Sequence, residues 1–312
     1  MEKSNLLEKL KILNSDDIFC ELYFYVDNTI KKATLDKDLQ KELAVFYRDS
    51  INSTFNEDND FRLDSVDNFN DEDAKAIYYF DSQNILDSIK VLFEIKEDLE
   101  TFEFKDNKLD NINGLIIRVG LNKEDNVILY KKLSTPIHLL QQAKIMMLIP
   151  SNNQLDKVKQ DILKLDNKFH FLSIDDKVFV INFNILERHF KYDEVILQKA
   201  QNVIKMLETL EFLDDMEKIK EFSENKSFAK KIHNLHKSPV INVIKNNPSK
   251  VESFINKHNE LKEFFDIVNG KLKLKKRTKK NIEKLIKLLN DDLIQSELTE
   301  IMYETLNKAK LK

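Results

Sequence analysis

The chain has 312 residues, of which 42% are hydrophobic and 33% charged, with 50 Lys/Arg set against 54 Asp/Glu. That composition belongs to a folded protein able to bury one large core or two ordinary ones, and it excludes a disordered polyelectrolyte. Only three glycines occur, Gly114, Gly120 and Gly270, so a P-loop, a dinucleotide fingerprint and a Gly-flanked serine elbow are excluded, since each needs clustered glycines.

In chain order, residues 1–110 are expected to form an acidic α+β region and residues 111–312 an α+β domain ending in a basic hairpin and helices. Leu6, Leu7, Leu10 and Ile12 predict a short first helix, and the aromatic and β-branched run 19–26 predicts a strand. The run contains Cys20, the single cysteine, which is expected to be a buried and inert thiol. Residues 38–51 predict a helix, the Asn/Asp-rich 56–73 a solvated loop, and 76–80 and 101–105 extended segments. Residues 115–119 and 126–132 read as paired strands, and 168–174 with 177–183 as a second hairpin around Asp175-Asp176. Over 193–213, Ile196, Ala200, Val203, Leu207 and Leu210 give the 4-3-4-3 spacing of an amphipathic helix. Core packing is the first expectation for that stripe and a dimer seam the second. Shorter helices are expected at 216–223, 228–236 and 249–264, the last opened by Pro248.

Asn269-Gly270 then stands between two extended runs and predicts a hairpin closed by a type I′ turn. Alternation along its second strand places Lys271, Lys273 and Lys275 on one face and Leu272 and Leu274 on the other. Thr278 is expected to cap a helix over 279–290, with Ile282, Leu285, Ile286 and Leu289 inward.

Charge is distributed unevenly along this layout. Residues 226–287 hold 17 Lys/Arg and five Asp/Glu, whereas residues 1–110 sum to −13. Such asymmetry points to a polyanionic partner. The steepest stretch, 271–280, carries Lys271, Lys273, Lys275, Lys276, Arg277, Lys279 and Lys280 and no anion. Lysines of this kind would track a phosphate backbone without reading bases, so binding would be sequence-independent and salt-sensitive. The alternative is a solvated strand face that lysine protects from edge aggregation.

Catalytic candidates carry less. Glu94-Ile95-Lys96 matches the acidic-x-Lys half of a metal-dependent nuclease motif, but the chain holds eight such triplets, and random placement gives about eight. His233 and His236, three apart on an expected helix, could share a face and ligate a metal. No third ligand has matching spacing, and Lys230, Lys231 and Lys237 would repel a cation, so solvent-exposed or phosphate-contacting histidines are expected. His138, His170, His189 and His258 are isolated. The longest uncharged runs, 133–143 and 145–155, are too short to span a bilayer, and the first residues hold no apolar signal core, so a cytoplasmic chain is expected.

Residues 111–312 resemble the family that includes KwaB of the Kiwa anti-phage defence system. The resemblance is carried by the strand pair within 115–132 with Ser134-Thr135-Pro136 after it, and by the passage Val178-Phe179-Val180-Ile181-Asn182-Phe183-Asn184-Ile185-Leu186-Glu187-Arg188-His189-Phe190. The tail Leu285-Ile286-Lys287-Leu288-Leu289-Asn290-Asp291-Asp292-Leu293-Ile294-Gln295-Ser296-Glu297-Leu298-Thr299 adds to it. It implies an intracellular, dimeric effector that binds invading phage DNA, interferes with its replication or expression, and is recruited to the inner face of the membrane by a KwaA-like transmembrane partner; no cofactor is expected. It supplies no site residues.

The expected fold is α+β, with antiparallel strands and hairpins and a helix-rich C-terminal region. The expected function is sequence-independent DNA binding in anti-phage defence. A scaffold whose basic face docks on an acidic partner, or on the chain's own acidic region, is the alternative, with a divergent metal-dependent nuclease third.

Overall fold

A computed structural model describes residues 2–69, 73–105, 109–133, 148–151, 154–157, 163, 165–296 and 298–304. Packing groups the chain into two units, Met1–Val66 with Lys75–Phe190, and Asp67–Ala74 with Lys191–Lys312.

The first unit contains α1 (Lys3–Leu10), β1 (Phe19–Val26), β2 (Thr29–Lys32), α2 (Lys37–Thr54), β3 (Arg62–Ser65), β4 (Ala76–Phe80) and α3 (Asp87–Lys90). It continues with β5 (Ile112–Gly120), β6 (Asn126–Lys132), β7 (Leu148–Ser151), β8 (Gln154–Lys157), β9 (Phe171–Ile174), β10 (Lys177–Val180) and α4 (Phe183–His189). Eight strands form one sheet in the order β2-β1-β5-β6-β9-β10-β4-β3, with β7–β8 a separate hairpin. All neighbours in the large sheet are antiparallel except β3 and β4.

Register explains the core. Leu22 pairs with Ile117, Ile117 with Leu129, Leu129 with Leu172, and Leu172 with Phe179. Strand side chains alternate between faces, so this row lies on one side, where it joins a cluster with Leu6 and Leu10 of α1 and Tyr47 and Ile51 of α2. Asp36 starts α2 by accepting from the backbone N–H groups of Asp38 and Leu39 at 3.0 and 2.8 Å. Cys20 is buried on the same side, and burial, helped by the Glu21 charge, pushes its thiol up to about 12. It is an inert core residue.

The second unit holds α5 (Tyr192–Thr209), α6 (Met216–Ser223), α7 (Lys226–Asn234), α8 (Pro239–Asn246), α9 (Pro248–Lys257) and α10 (Asn259–Lys262). Then come β11 (Phe265–Val268), β12 (Lys271–Leu274), α11 (Lys279–Leu289), β13 (Leu293–Gln295) and β14 (Met302–Glu304). In α5, Ile196, Ala200, Val203 and Leu207 are buried, so the stripe serves core packing. Side-chain caps from Asn225, Ser238 and Thr278 open α7, α8 and α11. Segment 67–69 is tied to these helices: Asp67 pairs with Lys199, and the Phe69 carbonyl accepts from Asn234 at 3.1 Å.

The overall class is as expected, α+β with an antiparallel-dominated sheet and a helix-rich C-terminal part. Several boundaries differ. The expected loop 56–73 contains β3, which gains its partner only from β4, and a short 3-10 turn over Val66–Asn68. Residues 101–105 supply a single bridge, Thr101 to Lys32, instead of a strand. Phe183, expected to end a strand, opens α4 because Asn182 caps it by accepting from Ile185 N–H. The helix expected over 249–264 breaks at His258, which is extended and starts α10. Finally, β1 of the acidic region is paired along its length with β5, on the other side of the compositional boundary at 110/111.

Candidate nucleic-acid interface

The basic hairpin forms as the sequence demands. Phe265 pairs with Leu274 and Val268 with Lys271, while Asn269 and Gly270 turn the chain at φ 53° and 73°. Leu272 and Leu274 are buried, which fixes the opposite face of β12 toward solvent. The far edge of β12 is also occupied: Leu272 N–H donates to the Phe212 carbonyl at 2.7 Å, and Asp214 N–H to the Leu272 carbonyl at 3.0 Å. The lysines therefore rise from a backbone held on both edges.

At the junction with α11 stands a residue that sequence reasoning missed. Asp215 is buried, with its side chain 2% exposed. One carboxylate oxygen accepts the Leu274 N–H at 2.7 Å and the other the Arg277 Nε–H at 2.6 Å. A single anion thus clamps the end of β12 to the start of the junction. The pairing of Asp214-Asp215 beside a basic segment held no local signal, because the two stretches are about sixty positions apart in the chain.

The seven predicted cations fall into two groups. Lys273 lies 3.4 Å from Asp214, Lys275 lies 3.4 Å from Asp266, and Arg277 is bound to Asp215. Lys271, Lys276, Lys279 and Lys280 have no ion-pair partner among the described residues; Lys279 stands over the Phe228 ring and Lys280 over the Phe264 ring. All seven belong to one continuous strand–junction–helix passage, and all but Lys273, which is half-buried, are exposed. Arg277 remains 61% exposed despite its bond. The carboxylates reaching these cations, among the described residues, all come from within the second unit.

The other candidates separate from this surface. Glu94 lies in a loop, exposed, 3.5 Å from Lys90. His233 and His236 stack at 4.9 Å but do not converge on a metal position. His233 is buried instead of exposed to solvent or phosphate: its Nε2 faces the Asp67 carbonyl at 2.9 Å, and burial lowers its pKa to about 4, so the ring is neutral and structural. His236 Nδ1 faces the His233 carbonyl at 2.6 Å. No group of three His, Cys, Asp or Glu able to hold a metal occurs among the described residues. His138 lies outside them, as do Ser134-Thr135-Pro136. Among them too, no helix is long and apolar enough to cross a membrane.

Fold and site together define a two-unit α+β protein that presents a lysine-rich hairpin from a helical unit. The family described as Kiwa protein KwaB-like matches residues 109–299, more than half of the sequence, and the chain belongs to that family. It is 26% identical over 318 residues to Kiwa protein KwaB of Escherichia coli O55:H7 (strain RM12579 / EPEC), covering 100% of this chain and 99% of that protein. No solved structure matches it.

Proposed function

We propose that this chain is a sequence-independent DNA-binding effector of anti-phage defence, with the basic hairpin as its phosphate-contacting surface. Membership of the Kiwa family supports the role in defence. The observation that carries the DNA reading is the set Lys271, Lys276, Lys279 and Lys280, displayed on a rigid passage without carboxylate partners among the described residues. Lysine supplies charge without the planar fork that reads bases, so the surface favours a backbone over a sequence.

Magnitudes decide how much the three carboxylates subtract. Lys273–Asp214 and Lys275–Asp266 are open pairs at 3.4 Å, worth about 0–1 kcal/mol each, and a phosphate can displace them. Arg277 is different, because the buried Asp215 cannot turn to solvent when a phosphate arrives. It therefore positions the junction more than it binds. These same carboxylates favour the second reading, a scaffold whose basic face meets an acidic protein.

The proposal includes a homodimer and a KwaA-like transmembrane partner that brings the chain to the membrane, with no cofactor and no catalytic step. The β13–β14 hairpin supports an assembly: Ile294 and Tyr303 face each other across the strands and are exposed, with Ile301 and the 96% exposed Leu298 beside them. Titration of the protein with two unrelated labelled duplexes, at low and high salt and with and without Mg²⁺, tests the function. Equal affinity for both, falling steeply with salt and without cleavage, is expected. Absence of binding at both salts favours the scaffold, and Mg²⁺-dependent cleavage the nuclease.

A further inference from the structure

Helix α2 of the first unit is anchored on one side and apolar on the other. Leu43, Ala44, Tyr47 and Ile51 are buried in the sheet cluster, and the buried Ser50 hydroxyl donates to the Asn167 carbonyl. The helix is therefore a fixed platform. Away from the cluster, Leu39, Val45 and Phe46 stay 38%, 43% and 38% exposed. At about 100° per residue, these three fall with Asp38, Glu42 and Asp49 within about 120° of one another, on one outward face. A single exposed apolar residue is ordinary, but a phenylalanine with a leucine seven positions before it makes a stripe. The Phe46 ring is steadied edge-on by Tyr47, with centroids 5.2 Å apart.

The charges on this face have one sign. Asp38, Glu42 and Asp49 are all exposed. Asp38 and Glu42 have no ion pair among the described residues, and Asp49 keeps its side chain 63% exposed while paired with its neighbour Arg48 at 3.0 Å. The nearest cations of the helix, Lys41 and Arg48, stand to one side of the face.

The order of these residues says what can cover them. Leu39, Glu42, Phe46 and Asp49 are spaced three, four and three apart, the seam of a helix that pairs with another helix. Apolar and acidic residues alternate along that seam. A second copy laid parallel would set Glu42 against Glu42 and Asp49 against Asp49. Laid antiparallel, it would press carboxylates onto Leu39 and Phe46 and desolvate them without a partner. Both arrangements are unfavourable. The complement is a helix that offers an apolar residue to Leu39 and Phe46 and a cation to Glu42 and Asp49.

We propose that the outward face of α2 docks a basic amphipathic helix of a partner protein, its seam alternating apolar residues with Lys or Arg. Phe46 and Leu39 supply the apolar anchors, and Glu42 and Asp49 select for cations. The surface is independent of the DNA reading, being in the other unit and of opposite charge.

The test is anisotropy titration of the full chain into labelled designed helices that carry Leu and Lys at the two seam positions of each heptad. Both orders are used, so that either chain direction is covered, together with counterparts in which Glu replaces Lys. Saturable binding of one Leu/Lys helix is expected. Phe46→Ala should weaken it about tenfold or more, as for a central aromatic anchor. Glu42→Lys, at an exposed position, should weaken it about tenfold while tightening the matching Leu/Glu helix relative to the wild type. Comparison with the wild type removes any attachment of the acidic helix to the basic hairpin, which both variants retain. Circular dichroism checks that each variant is folded. No saturable binding of either Leu/Lys helix overturns the proposal, as does affinity unchanged in folded Glu42→Lys. Self-association of the wild type that Phe46→Ala abolishes, read by sedimentation, would give the face to a second copy and overturn it equally.

Discussion

The two units reach order by different physics. In the first, one register of pairing strings Leu22, Ile117, Leu129, Leu172 and Phe179 into an apolar row, and α1 and α2 complete the cluster on it. In the second, side-chain caps from Asn225, Ser238 and Thr278 start three of the helices, and a two-stranded hairpin is fixed at its end by one buried carboxylate, Asp215. The lesson concerns where charge can be displayed. A row buried among strands has no room for exposed lysines, whereas a strand buried on one face by Leu272 and Leu274 presents them at fixed positions.

The sharpest way to break this contrast is to remove apolar mass from the sheet unit. Phe24 is buried and edge-packed on Phe102 at 4.7 Å. Phe24→Ala should cost about 3–5 kcal/mol in chemical denaturation. A cost below about 1 kcal/mol, typical of sites outside a packed core, would mean that apolar register is not what holds this unit.

A smaller effect is expected at the polar clamp of the helical unit. Asp215→Ala leaves Leu274 N–H without its acceptor and frees the exposed Arg277. The loss should be about 1–3 kcal/mol, the cost of leaving a buried donor without its acceptor. Asp215→Asn retains an oxygen for the Leu274 N–H while losing the ion pair, so it should cost less than alanine. If both variants unfold within about 0.5 kcal/mol of the wild type, the clamp contributes no more than an ordinary surface residue.

Much of this was legible in the sequence where local rules decide. The strand Phe19–Val26, the helix Met216–Ser223, the Asn269-Gly270 turn and the Thr278 cap follow from patterns within a few residues. What local patterns could not show depends on distant partners. The strand Arg62–Ser65 exists because β4 pairs with it, and Asp215 matters because β12 and Arg277 reach it from far along the chain. The compositional boundary at 110/111 marks charge instead of packing, since β1 and β5 share a sheet across it. Of the seven cations in the candidate site, the sequence showed the clustering, and it assigned a common face to Lys271, Lys273 and Lys275 alone. Which of them carry carboxylates became visible only in three dimensions.

In the proposed function, the hairpin-passage lysines that have no ion pair among the described residues grip DNA phosphates. The decisive test is the salt dependence of duplex affinity for wild type and for Lys271→Ala/Lys276→Ala/Lys280→Ala, with folding checked by circular dichroism. Weaker binding is expected, with a plot of log K against log salt flatter by about 2.7 units, about 0.9 for each phosphate no longer neutralised. A folded triple variant with unchanged affinity and slope would refute the assignment.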